Sequence, residues 1–195
     1  MSKVRAAARA YLYELNAAYA RGLLAEDAPL ISELAEAVGV HQNHLAFALS
    51  DSKPLLHLEL LWKVQQALRV RGFAPTVEDM IYWPPLRSAR SIPALDAWRP
   101  DPVEERAGDE SRLHITLDAY LKQMKQVSRQ MDEPLPVPRT RTLAAAGGVT
   151  PRTMQRLRAD QTQQVSRELL GGVVGHLHGL GIDVRPAQLI AEPVQ

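Results

Sequence analysis

Residues 31–49 read ISELAEAVGVHQNHLAFAL and residues 140–158 read TRTLAAAGGVTPRTMQRLR. Each stretch has the pattern of two short helices meeting at a sharp turn. In the first, Ile31, Leu34, Ala35 and Val38 recur at helical spacing and stop at Gly39, a residue suited to the left-handed backbone that ends a helix. Ser32 stands near the start of that helix. Leu45, Ala48 and Leu49 then mark the inner face of a second helix, from about Gln42 to Ser50. Ala35 is small where the second helix must cross it, and Val40 and Leu45 plug the angle between the two. In the second stretch Leu143 and Ala144 begin one element, which Gly147-Gly148 closes. Thr150-Pro151 then supplies an N-cap followed by proline at the first helical position.

Outward from these stretches, the chain matches itself without a gap at an offset of 109 residues, with 17 identities over the 72 aligned positions 10–81 and 119–190. Ala10-Tyr11-Leu12 recurs as Ala119-Tyr120-Leu121, and Glu59-Leu60-Leu61 as Glu168-Leu169-Leu170. Asp51 recurs as Asp160. The period is too long for a solenoid of repeats of roughly 20–50 residues. One small domain is therefore expected twice: residues 1–81, a linker over 82–110, and residues 111–195.

In each copy the apolar spacing is helical, and no strand alternation stands out. A first helix is expected near residues 4–24, with Val4, Ala8, Tyr11, Leu12, Leu15 and Tyr19 on one face. A fourth carries Leu58, Leu61, Val64, Ala67 and Leu68 and stops near Gly72. A short last one follows Thr76 and ends at Met80-Ile81. In the second copy Leu113, Leu117, Tyr120, Leu121 and Met124 stripe the first helix, and Pro134, Pro136 and Pro138 form a connector. Gly171, Gly172 and Gly175 are odd inside its fourth helix, each costing about 1 kcal/mol against alanine. They mark either close helix packing or a softer domain. The linker holds Pro84, Pro85, Pro93, Pro100 and Pro102 and an acidic stretch from Glu104 to Glu110. Its Trp83 and Trp98 suggest that part of it is pinned to a domain.

The chain has 195 residues, no cysteine and a formal net charge of +1. Without cysteine there is no disulfide, no thiol chemistry and no Cys-ligated zinc. No apolar run reaches the 18 or more residues of a membrane span, and Arg5, Arg9 and Glu14 interrupt the alanine-rich start where a signal peptide needs an uncharged core. A cytoplasmic, nucleoid-associated location is expected. The charge is uneven: residues 1–81 hold 8 Lys/Arg against 9 Asp/Glu, residues 82–110 hold 4 against 6, and residues 111–195 hold 11 against 7. The balances are −1, −2 and +4, so an anionic partner should lean on the second copy.

The two helix pairs, with the helices LELLWKVQQAL and VSRELLGGVVGHL that follow, resemble the Cro/CI-type family, also called lambda-repressor-like or Xre-type, twice over across roughly residues 28–81 and 137–190. The resemblance implies an all-α fold of two tandem helix-turn-helix domains joined by a Pro-rich linker. It implies a sequence-preferring, double-stranded DNA-binding transcription regulator, activator or repressor, in which the second helix of each pair enters the major groove. Carried over by position, the first copy would present Gln42, Asn43, His44 and Phe47, and the second Arg152, Thr153, Gln155 and Arg156. Arg139, Arg141 and Arg158 flank the second motif and suit phosphates. Where the family usually has Gly after the recognition helix, this chain has Asp51 and Asp160, which departs from the pattern and puts phosphate contacts there in doubt.

Arg can pair with guanine and Gln or Asn with adenine. The first motif is surrounded by Glu33, Glu36 and Asp51, with Lys53 as the nearby cation, so a copy kept for packing or protein contact is the alternative there. For the second copy the alternative is a solvated arginine face. Two rival functions remain open: a protein-interaction or assembly module with one or both motifs degenerate, and an architectural DNA binder with little base preference. His41 and His44, three apart, have no Cys or carboxylate set to complete a metal site. No phosphate loop, nucleophile elbow or paired carboxylates appear. No enzyme activity, cofactor, metal or small-molecule ligand is expected, while the linker tryptophans and first helices leave room for a homodimer.

Overall fold

Short extended segments at the ends of each copy clasp the helices between them. The computed structural model describes residues 4–50, 54–104 and 111–194. Strand β1 (Arg5–Ala6) leads into α1 (Ala8–Ala20), then α2 (Ile31–Ala37) and α3 (Gln42–Ala48). After β2 (Leu55–His57) come α4 (Leu58–Val70), α5 (Val77–Met80) and β3 (Ile81–Tyr82). A short α6 (Pro93–Asp96) lies in the connecting segment. The second copy follows as β4 (His114–Ile115), α7 (Leu117–Ser128), α8 (Thr140–Ala146), α9 (Pro151–Arg158), β5 (Gln164–Ser166), α10 (Arg167–Gly179), α11 (Pro186–Leu189) and β6 (Ile190–Ala191). Every element of the first copy begins 109 residues before its counterpart, from Arg5 and His114 to Ile81 and Ile190.

The fold is mostly helical, but the all-α expectation needs correcting: three small two-stranded sheets are present among the described residues. Strands of two or three residues are too short to show alternation in sequence. β1 pairs antiparallel with β3 and β4 with β6, tying the start of each copy to its end. This pairing also shortens the first helix, which starts at Ala8 because Arg5 and Ala6 are extended against Tyr82 and Ile81. Gly22, at φ 72°, lies just beyond its end. Ala8 and Leu12 are buried, whereas Tyr19, expected on the inner face, is 44% exposed. At the start of α2 it is Glu33, rather than Ser32, that secures the helix, its carboxylate accepting from the Leu30 amide at 2.9 Å.

The third sheet joins the copies. β2 and β5 pair antiparallel with Leu55 opposite Ser166, Leu56 opposite Val165 and His57 opposite Gln164. Leu56 thus faces its own counterpart at the repeat offset, and both side chains are fully buried. The flanking bonds obey the same symmetry: the Leu58 amide donates to the Gln163 carbonyl at 3.2 Å and the Arg167 amide to the Pro54 carbonyl at 2.7 Å. A local two-fold relation therefore runs through the Leu56–Val165 pair. α5 packs on its counterpart α11. The Trp83 indole N–H donates to the Val184 carbonyl at 2.7 Å. In the equivalent place on the other side, Glu192 accepts from Gln65 and Arg69, both at 2.7 Å, and both also donate to the Pro75 carbonyl.

One continuous apolar core runs through both copies, from Val4 to Ile190. Each fully buried Leu or Val contributes about 1.5–3 kcal/mol, and sharing the core relieves each copy of the burden of a small isolated domain. The connecting segment is bound to this body, as its tryptophans suggest. Trp83, Ile92 and Leu95 are buried, and Trp98 rests on Tyr120 with ring centroids 5.6 Å apart. The Leu86 amide donates to Asp183 at 2.8 Å and the Arg90 amide to the Gly181 carbonyl at 3.1 Å. Most of the acidic stretch, residues 105–110, lies outside the described residues, as do Asp51 and Lys53. Among the described residues no helix is long and apolar enough to cross a membrane.

The copies differ most where the fourth helix meets the pair. In the second copy α10 reaches α8 backbone to backbone: a Cβ on Gly172 would lie 2.1 Å from the Ala146 carbonyl oxygen and 2.7 Å from the Gly147 Cα. Close packing is thus the reason for Gly172.

Candidate nucleic-acid interface

α3 and α9 each bury one face and leave the other in solvent. Leu45 and Ala48 anchor α3, and Met154 and Leu157 anchor α9. The caps differ in chemistry but not in place. His41 Nδ1 accepts from the Asn43 amide at 3.2 Å, and Thr150 Oγ1 accepts from the Thr153 amide, also at 3.2 Å. His41 is therefore a helix cap. Gly39 and Gly148, at φ 72° and 65°, make the turns before these caps. Thr150→Ala is expected to destabilise the protein by about 1 kcal/mol, read by urea unfolding, because one N-terminal amide loses its acceptor.

Gln42, Asn43, His44 and Phe47 are all exposed on α3, Phe47 to 49%. The His44 ring meets His57 of β2 edge-on, centroids 6.2 Å apart, which ties the outer face of α3 to the sheet between the copies. Arg152, Thr153, Gln155 and Arg156 are likewise exposed on α9, and Arg139 and Arg141 on and beside the first turn of α8. Among the described residues these four arginines form no ion pair. Residues 139–159 contain no Asp or Glu, so their charge stands unopposed within the motif.

Arg158 is placed differently. Its guanidinium donates to Asp118 of α7 and to the Thr140 hydroxyl, bracing α9 against α7 and α8. Burial raises the Asp118 pKa, but hydrogen bonds from Arg158 and Lys122 outweigh it and hold the carboxyl below its ordinary range. Arg158 therefore works inside the fold.

Asp160, which the sequence singles out only as a departure from a pattern, has a role in the fold that no local signal gives. It has a φ of 53°, the one positive value on a residue other than glycine among the described residues. It makes the left-handed turn that ends α9, and more. Its carboxylate accepts from Arg112 at 2.9 and 3.0 Å, from His114 Nδ1 at 2.6 Å and from the Ile115 amide at 2.8 Å. The end of α9 is thus fastened to β4. The non-local signal is the repeat: Asp51 and Asp160 are among the few charged identities of a mostly apolar repeat.

No known protein family, curated protein or solved structure matches this chain.

Proposed function

We propose that this chain is a sequence-preferring, double-stranded DNA-binding protein, a transcription regulator in which two helix-turn-helix units, α2–α3 and α8–α9, form a dimer-like pair within one chain. The observation that carries the reading is the symmetric β2–β5 sheet. α3 packs on β2, and α9 connects to β5 through residues 159–163, so the two exposed helices are related by a local two-fold. DNA-binding dimers of this kind present two recognition helices to half-sites about 34–36 Å apart. Here the covalent chain and the shared core replace the association of two subunits.

Unlike a homodimer, the two faces differ. By the repeat offset Gln42 corresponds to Pro151, Asn43 to Arg152 and Phe47 to Arg156. The bound site is therefore two dissimilar half-sites, with most affinity from the arginine-bearing second copy. The first copy's helix pair holds Glu33 and Glu36 and no Lys or Arg over residues 30–50, which favours a second reading for that copy alone, contact with protein.

Selection from random-sequence duplexes with the full chain tests the function, with light scattering to count chains per site. The full chain is required because division at residue 110 would separate β2 from β5. A non-palindromic consensus bound by one chain is expected, and a palindrome bound by one chain would contradict the reading. Arg156→Ala should weaken the preferred site by about 1–3 kcal/mol and relax one or two positions. Arg139→Ala should weaken all sequences alike and reduce the salt slope by about 1.

A further inference from the structure

We propose that the space between α2 and α4 is a binding pocket for a small, mainly apolar molecule that carries an acidic oxygen, a carboxylate or a sulfonate. It measures about 480 Å³, within the roughly 300–1,000 Å³ of small-molecule sites. The inference comes from comparing the two copies at equivalent positions. Four residues of α4 that line the space are Trp62, Lys63, Gln66 and Val70. Their counterparts on α10 are Gly171, Gly172, Gly175 and Gly179, every one a glycine. In the second copy the bare helix lets α8 close onto it until backbone meets backbone. In the first, Trp62, Lys63 and Gln66 put side chains where the second copy has none, and the pocket lies beside them between α2 and α4.

The lining has the composition of a ligand site. Ala37, Val38 and Ala67 supply apolar wall, and Val70, 89% exposed, continues it outward. Trp62 is almost wholly buried and forms the aromatic part. Within this wall the Gln66 side-chain nitrogen is buried without a hydrogen-bond partner. A buried donor left unmet is costly, and a turn of the terminal amide toward an acceptor on a bound molecule would recover that cost. Lys63 and Arg71 also line the pocket, each bridged to a glutamate, Glu59 and Glu33, the latter at 3.2 Å. Neither glutamate lines the space itself, so a bound molecule would meet the two cations and the Gln66 donor, which favours an acidic oxygen over a neutral one. A bound molecule would brace the end of α2, as the Gly172 contact braces α8. This assignment does not depend on DNA binding.

The test uses 8-anilinonaphthalene-1-sulfonate with the full chain, followed by tryptophan-sensitised emission and by NMR of the Gln66 side-chain amide and Trp62 indole. Saturable binding at one site that shifts both signals is expected. Gln66→Leu should weaken it about tenfold, Ala67→Trp should abolish it by filling the space, and Leu23→Ser, a loss of exposed apolar surface elsewhere, should leave it unchanged. N-phenyl-1-naphthylamine, which lacks the acid, should bind about tenfold more weakly. Shifts confined to other residues, Gln66→Leu binding like the parent, or equal affinity for the neutral amine would each overturn the proposal. If Ala67→Trp does not fold, the Gln66→Leu comparison decides.

Discussion

Gly172→Ala is expected to destabilise the protein by about 3 kcal/mol or more and to lower Tm by about 6–12 °C, measured by calorimetry or urea unfolding. In an exposed helix the same change would stabilise by about 1 kcal/mol. Here the added methyl would stand 2.1 Å from the Ala146 carbonyl oxygen, and the atoms it meets are backbone, which cannot rotate aside. α10 would have to move off α8, and α8 carries the turn that sets α9. Gly179→Ala is the internal control: it lies on the same helix, and a Cβ there meets nothing within 4 Å. That variant should be neutral or stabilised by up to about 1 kcal/mol. Equal gains from the two substitutions would mean that helix propensity, not packing, decides the effect at Gly172.

Those glycines show how far a sequence can be read. Their oddity in a helix was visible, and so was the choice between tight packing and softness. Which of the two held depended on the partner surface, Ala146 and Gly147, which no local pattern reveals. The turns were legible because Gly39, Gly148 and the Thr150-Pro151 pair act through their own backbones. The period of 109 was legible because it rests on residues that set helix faces. The sheets were not: the strand pairs of Arg5–Ala6 and His114–Ile115 are defined by partners dozens of residues away, and the Leu56–Val165 pair by the other copy. At the candidate interface, exposure of Arg152 and Arg156 follows from helical phase, since Met154 and Leu157 take the inner face. Arg158, four residues after Met154, falls beside that inner face, and Asp118, forty residues earlier, holds it in the fold. A charge count treats these arginines alike, and the fold does not.

Asp160→Ala is expected to cost about 3 kcal/mol at pH 7. The carboxylate accepts from Arg112, His114 and the Ile115 amide, and its removal takes two charge-assisted hydrogen bonds from Arg112, itself largely buried. Alanine also tolerates the φ of 53° poorly. Asp160→Asn separates these effects, because asparagine accepts the left-handed backbone and keeps one acceptor; a loss of about 1–2 kcal/mol is expected. Acid titration gives the decisive measurement. Burial alone would raise the Asp160 pKa, but the hydrogen bonds from His114, Arg112 and Ile115 outweigh it and hold the folded value below the ordinary one. A depressed carboxyl pKa contributes stability that is fully present above the unfolded value of about 3.9 and is lost as pH falls through the folded value. The gap between the parent protein and Asp160→Asn should therefore shrink as pH falls below about 4. His178 does not confuse the comparison. Its burial lowers its pKa against the pull of Asp183 and the Val184 backbone, so both proteins lose stability together below about pH 6.5. A gap that persists undiminished to pH 2 would place the stabilisation in the shape of the turn rather than in the charge.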